Sequence, residues 1–205
     1  MLKNDVGGIT EKKKKDELYR NQTNELYASI GKFLVNFELV CFYIRKAIII
    51  ILYDSGLKNQ QLANIMLAGY TTEPLKSILH SLIGEAVQLN ENEKKIIKNI
   101  FARIQKLIES RNNIVHSTWF IGWSNKTMID FSEASGYKLH KDKGGVATKT
   151  FKYKKEDFKK LSKEAEILSK IVLRLHGCIS GNFSIEKNFD FDKNSNVIES
   201  RWLRK

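Results

Sequence analysis

The sequence predicts a mainly all-α fold: a bundle of four to five helices with a small β-hairpin or ribbon inserted before the last long helix. Three observations predict it. The chain carries one proline in 205 residues and long stretches of Lys, Glu, Leu and Ile. Such composition favours helix, because straight-chain residues keep their rotamer freedom there and the main helix breaker is scarce. Apolar residues recur at steps of three and four through most of the chain, which is the helical period. Between Trp119 and Tyr153 that rhythm gives way to aromatic, Thr- and Gly-rich sequence with alternation, which is the period of strands.

The elements follow in order. Residues 1–17 read as a polar, basic leader with the run Lys12-Lys13-Lys14-Lys15, expected to fray. From Leu18 to Tyr53 the positions Ile30, Leu34, Phe37, Cys41, Ile44, Ile48 and Ile51 form one apolar stripe, so a long amphipathic helix is expected there, ended by Asp54-Ser55-Gly56. A shorter helix is expected over 59–68, closed by Gly69. Thr72 reads as the N-cap of the next, with Glu73 and Pro74 in its first turn. Asn90 or Asn92 then caps a helix to about His116, striped by Ile97, Ile100, Phe101, Ile104, Leu107 and Ile108. Segments 127–131, 137–140 and 146–153 alternate and read as an antiparallel ribbon, with turn signals at Ser135-Gly136 and Gly144-Gly145. A last helix is expected from Lys155 to His176, ending at Gly177. Residues 18–180 thus form one helical domain, and the tail from 181 to 205 is left unassigned.

Composition bounds the function. With 42% hydrophobic and 28% charged residues the chain is globular rather than disordered. A formal charge of +12 points weakly to an anionic partner such as nucleic acid. Two cysteines, Cys41 and Cys178, are too few and too far apart for a disulfide framework, so both are expected to be reduced core fillers of a cytoplasmic protein. The greasiest stretch, 33–53, is interrupted by Asn36, Glu38, Arg45 and Lys46. Its unbroken part is far shorter than the roughly 20 residues of a spanning helix, and no membrane association is expected.

One segment invites chemistry. The stripe through Ile100, Ile104 and Leu107 reaches position 111 at a step of four, where an apolar residue is expected and Arg111 stands. A guanidinium in such a row is costly unless it meets carboxylates, phosphates or carbonyls. Glu38 is one conceivable mate. Asn112 and His116, four apart, share a helix face. Arg111 and His116, five apart, diverge by about 140° on a regular helix, so one copy of the segment does not readily aim both at one point. A second copy across a dimer axis offers another route. The bland alternatives are a structural ion pair for Arg111 and a helix-dipole partner for His116.

Arg111-Asn112-Asn113-Ile114-Val115-His116 resembles the R-x4-6-H signature of HEPN domains, in the form where a polar residue follows the Arg. Trp119 after the His, the later amphipathic helix and the pattern Gly31-Lys32-Phe33 to Phe37-Glu38 are similar to such domains as well. The likeness covers about residues 20 to 180. It implies an up-and-down bundle and a metal-independent endoribonuclease without cofactor, acting on RNA as a homodimer. Proteins of this kind serve as toxins or antiphage effectors, and a nucleotidyltransferase-type antitoxin is a possible partner. Arg111 and His116 then carry catalysis, Asn112 orients them or binds phosphate, and Glu38 and Trp119 support them. The same resemblance admits a noncatalytic nucleic-acid- or nucleotide-binding or scaffold module.

Other signals are weaker. His80, His140 and His176 lack the spacing of metal ligands, and Gly144-Gly145 lacks the Lys-Ser/Thr of a phosphate loop. Trp119, Trp123, Phe151 and Tyr153 with Lys149, Lys152 and Lys154 offer either an RNA-stacking surface or a packing seam that closes the ribbon.

Overall fold

The computed structural model describes residues 5–122, 131–142 and 144–200. Among them the protein is mainly helical with small antiparallel sheets, in the order α1 (Asp5–Asp54), α2 (Gln60–Leu67), α3 (Thr72–Ala86), α4 (Glu91–Val115), β1 (Thr118–Ile121), β2 (Glu133–Asp142), β3 (Gly145–Lys154), α5 (Lys155–Ser180), α6 (Ile185–Asn188), β4 (Phe189–Phe191) and β5 (Val197–Glu199). The chain divides into two compact units. One comprises residues 1–34 and 112–162, the other residues 35–111 and 163–205.

The second unit holds the larger share of the apolar stripes. Phe37, Val40, Ile44 and Ile48 of α1, Leu75, Leu79 and Ile83 of α3, Ile100 and Ile104 of α4, and Leu168 and Val172 of α5 are all buried. Each such side chain contributes about 1.5–3 kcal/mol by leaving water. The start of α4 is a capping box. Asn90 Oδ1 accepts from the Asn92 and Glu93 N–H groups at 2.9 Å, and Glu93 Oε2 accepts from the Asn90 N–H at 3.2 Å. The tail after α5 is folded too: β4 and β5 form an antiparallel hairpin with Phe189 opposite Glu199. Asn99 of α4 holds it by donating to the Ser195 carbonyl at 2.9 Å and accepting from the Val197 N–H at 3.0 Å.

In the first unit, β1, β2 and β3 make a three-stranded antiparallel sheet in that order. Trp119 lies opposite Gly136, which lies opposite Phe151. Phe158 of α5 is fully buried; the Tyr153 ring stacks on it at 5.1 Å and the Trp119 ring meets it edge-on at 6.0 Å. Lys155 also reaches Glu25 of α1 at 2.6 Å.

Four expectations need correction. Residues 5–17 are not a leader outside the helix but its first turns. No proline interrupts them, and Glu11, Asp16 and Glu17 stand at i,i+4 spacings from the lysine run, which favours helix. The α5 helix passes through Gly177 to Ser180, so His176 is not a terminal dipole partner. The chain turns off the helix at Asn182, in the left-handed region at φ 49°; the Phe183 and Asn182 N–H groups donate back to the Cys178 and Ile179 carbonyls, the paired bonds of a Schellman end. Thr71, not Thr72, is the N-cap position of α3, and it makes no side-chain cap. Finally, Ser135-Gly136 is not a turn but lies inside β2. A Cβ at Gly136 would stand 2.9 Å from the Trp119 ring, so the glycine makes room for an indole. Of the alternating segment 127–131, only Phe131 lies within the described residues, as does Trp119 but not Trp123.

Candidate active site

The segment 111–116 spans the end of α4, and the boundary between the units falls between Arg111 and Asn112. Each half is therefore placed within its own unit.

Arg111 is half-buried, and its guanidinium carbon lies 5.9 Å from the centroid of the Phe37 ring. The break in the apolar stripe is thus accommodated partly by an aromatic face, an arrangement worth about 0.5–2 kcal/mol. One turn beyond Phe37 on α1, the buried Cys41 thiol shares a 2.9 Å hydrogen bond with the Thr72 hydroxyl. Burial pushes that thiol up to about 11; Thr72, Arg111 and Arg45 pull it down, and Glu38 pushes it further up. Glu38 itself is exposed. Cys41 stays a neutral thiol near neutral pH and is no nucleophile.

In the other unit, the end of α4 is capped. Its last carbonyls have no partner within the helix, and three groups supply donors. The Trp119 indole N–H donates to the Ile114 carbonyl at 2.7 Å, the Ser117 hydroxyl to the Asn113 carbonyl, and Lys138 Nζ to the Asn112 carbonyl at 3.4 Å. The His116 N–H still donates helically to the Asn112 carbonyl at 3.2 Å. Asn112 and Asn113 are half-buried and the His116 side chain is exposed. Helical phase thus persists to His116, and the imidazole projects from a turn whose backbone is tied down on three sides. The role of Trp119 is physical: it ends α4 and fixes the turn into β1.

Ser117 and Lys138 escape sequence reasoning. Ser117 carries a usable signal, four residues after Asn113 at a helix end. Lys138 carries none, since strand pairing alone brings it back to Asn112.

The sheet separates the lysines that the sequence groups together. Lys149 pairs with Lys138 and shares a face with Phe151 and Tyr153; Lys152 and Lys154 pair with Ser135 and Glu133 on the opposite face. Lys149 Nζ stands 5.2 Å over the Phe151 ring, whereas Lys152 Nζ meets Glu133 at 3.3 Å. Trp119 and Tyr153 serve packing against Phe158.

Among the remaining histidines, the exposed His80 lies against the Phe101 ring at 4.7 Å, and His176 is held below the ordinary histidine value by burial and by Lys46. Among the described residues no group of three or more His, Cys, Asp or Glu side chains is gathered as metal ligands, and no helix is long and apolar enough to cross a membrane. A cavity of about 710 Å³ lies in the second unit beside Glu93, Cys178 and Phe183, lined by none of the segment 111–116. Comparison with known families, curated proteins and solved structures finds no match for this chain.

Proposed function

We propose that the protein is an endoribonuclease of the HEPN type, in an up-and-down bundle, acting as a homodimer on RNA as a toxin or antiphage effector. The observation that carries this reading is the sequence Arg111-Asn112-Asn113-Ile114-Val115-His116, which puts a guanidinium in an apolar row and an imidazole at a helix end. The capped turn supports it, because a proton-transfer group needs a fixed backbone.

RNA brings its own nucleophile. In the proposed reaction the 2′-oxygen forms a bond to phosphorus while the bond from phosphorus to the 5′-oxygen breaks. The products are a 2′,3′-cyclic phosphate and a 5′-hydroxyl. His116 takes the 2′-hydroxyl proton or delivers one to the leaving oxygen, since an imidazole can both accept and donate a proton through its ring nitrogens. Arg111 offers fixed donors to the charge growing on phosphorus, and Asn112 orients the pair.

One observation favours a noncatalytic binding or scaffold module instead: Arg111 already has the Phe37 ring for company, so a packing role accounts for part of its position. Incubation of purified protein with RNA in EDTA separates the two. The nuclease reading expects cyclic-phosphate ends, with His116→Ala or Arg111→Ala slowing cleavage by about 10²–10⁴-fold. Equal RNA integrity with folded, dimeric wild type and His116→Ala sinks it.

A further inference from the structure

The β2–β3 ribbon has two chemically different faces. Strand alternation and the observed register put Lys138, His140, Lys149 and Phe151 on one face, and Tyr137, Leu139 and Val146 on the other with Lys141, Lys152 and Lys154. Lys138 and Lys149 are directly opposed across the strands. Like charges in that relation are destabilising, and among the described residues no ion pair engages either lysine. The contrast on the other face is Lys152, which Glu133 neutralises at 3.3 Å. His140 and Lys149 are exposed and Lys138 is half-buried. Two further contacts orient the pair. Lys138 Nζ touches the Asn112 carbonyl at 3.4 Å, and Lys149 Nζ sits 5.2 Å over the half-buried Phe151 ring. The basic face therefore begins at the last turn of α4 and runs outward along the ribbon.

We propose that this face is the binding track for single-stranded RNA, with Lys138 and Lys149 taking successive phosphates, His140 extending the track, and Phe151 available to a base. The identity of the anion rests on the nuclease reading; the opposed, unneutralised lysine pair does not. An anionic phosphate diester placed between the two ammonium groups relieves their repulsion and receives donors from both strands. A basic patch beside an aromatic ring is the recurring composition of single-strand tracks. A membrane surface fits less well. The exposed apolar side chains Leu139 and Val146 lie on the opposite face beside Lys141, Lys152 and Lys154, so a membrane would take that face and leave Lys138 and Lys149 out of the contact.

The test is fluorescence anisotropy of a labelled, single-stranded oligouridylate over a salt series. Full-length His116→Ala protein keeps the probe intact, and Lys138→Gln, Lys149→Gln and Lys152→Gln are added to it in turn. Each phosphate-bound lysine removed from a single-strand track lowers the slope of log affinity against log salt by about 0.7. Lys149→Gln, which alters only an exposed side chain, is expected to lower the slope by about that amount. The double change at Lys138 and Lys149 is expected to lower it by about 1.4, with roughly twentyfold weaker binding near 0.1 M salt. Lys152→Gln is expected to leave it unchanged. Unchanged slopes for Lys149→Gln and the double variant overturn the proposal, as does an equal loss from Lys152→Gln. Binding to phosphatidylserine vesicles without binding to the probe overturns it in favour of a membrane. Cleavage by the wild type with unaltered slopes leaves the nuclease standing and this track refuted; salt-sensitive binding along this face without cleavage does the reverse.

Discussion

Two arginines stand on one row of α4, at 103 and 111 with Leu107 between them, and they meet different fates. Arg103 is buried and fully engaged. Its Nε and Nη2 donate to the two Glu164 oxygens at 2.7 and 3.0 Å, and its Nη1 donates to the Val197 carbonyl at 2.6 Å. The fork geometry of guanidinium suits this double acceptor. Arg103→Ala strands a carboxylate and a carbonyl, and is expected to cost about 2–4 kcal/mol. Arg111 is only half-buried, and Arg111→Ala, which removes the Phe37 ring contact among its interactions, is expected to cost less than Arg103→Ala, by about 1 kcal/mol or more. Urea denaturation midpoints check the order, and equal losses would deny that Arg111 is the less structural of the two. The sequence makes Arg111 conspicuous by placing it where a stripe should continue. It gives no hint of Arg103, because Glu164 and Val197 lie 61 and 94 residues away. A break in periodicity is a local signal, and its partner is not.

Helices were legible because their information is local. The stripes of α1 and α4 name residues that are in fact buried, such as Ile44 and Ile104, and the capping side chain of Asn90 lies where its residue type predicts it. Strands were less legible, since a strand is completed by a neighbour that local sequence does not specify. Gly136 is the instructive case. A Ser-Gly pair usually signals a turn, yet here the glycine faces the Trp119 ring from the middle of β2. Gly136→Val would suit strand propensity and still be harmful, because the new Cβ would fall 2.9 Å from the indole. Overpacking of this kind costs about 1–3 kcal/mol. The displaced indole would also leave the Ile114 carbonyl without its donor. Thermal melting and tryptophan fluorescence are expected to show a lowered midpoint and a more solvent-exposed indole. A stabilised Gly136→Val protein would mean that Trp119 is not the cap of α4. The tail was illegible for a related reason. Its strands are three residues each and are held by Asn99 and Arg103 rather than by any pattern of their own.

At the scale of the whole molecule the open question is how many chains make one site. Positions five apart on a regular helix diverge by about 140°, so the spacing of Arg111 and His116 alone does not readily aim both at one point. A composite cleft, with Arg111 from one protomer and His116 from its partner, follows naturally from the proposed dimer. It makes a numerical prediction. Arg111→Ala and His116→Ala proteins are each expected to be nearly inactive alone. Mixed one to one with full exchange of protomers, about half of the dimers carry one variant of each kind. In each mixed dimer one cleft has lost both groups and the other has lost neither. Cleavage of RNA by the mixture should therefore recover to about a quarter of the wild-type rate. If Arg111 and His116 act within a single chain, every cleft in the mixture lacks one group and no recovery occurs. Subunit exchange, followed by mass spectrometry of differently tagged chains, makes a null result decisive: where the wild type cleaves, mixed dimers without activity exclude the shared cleft.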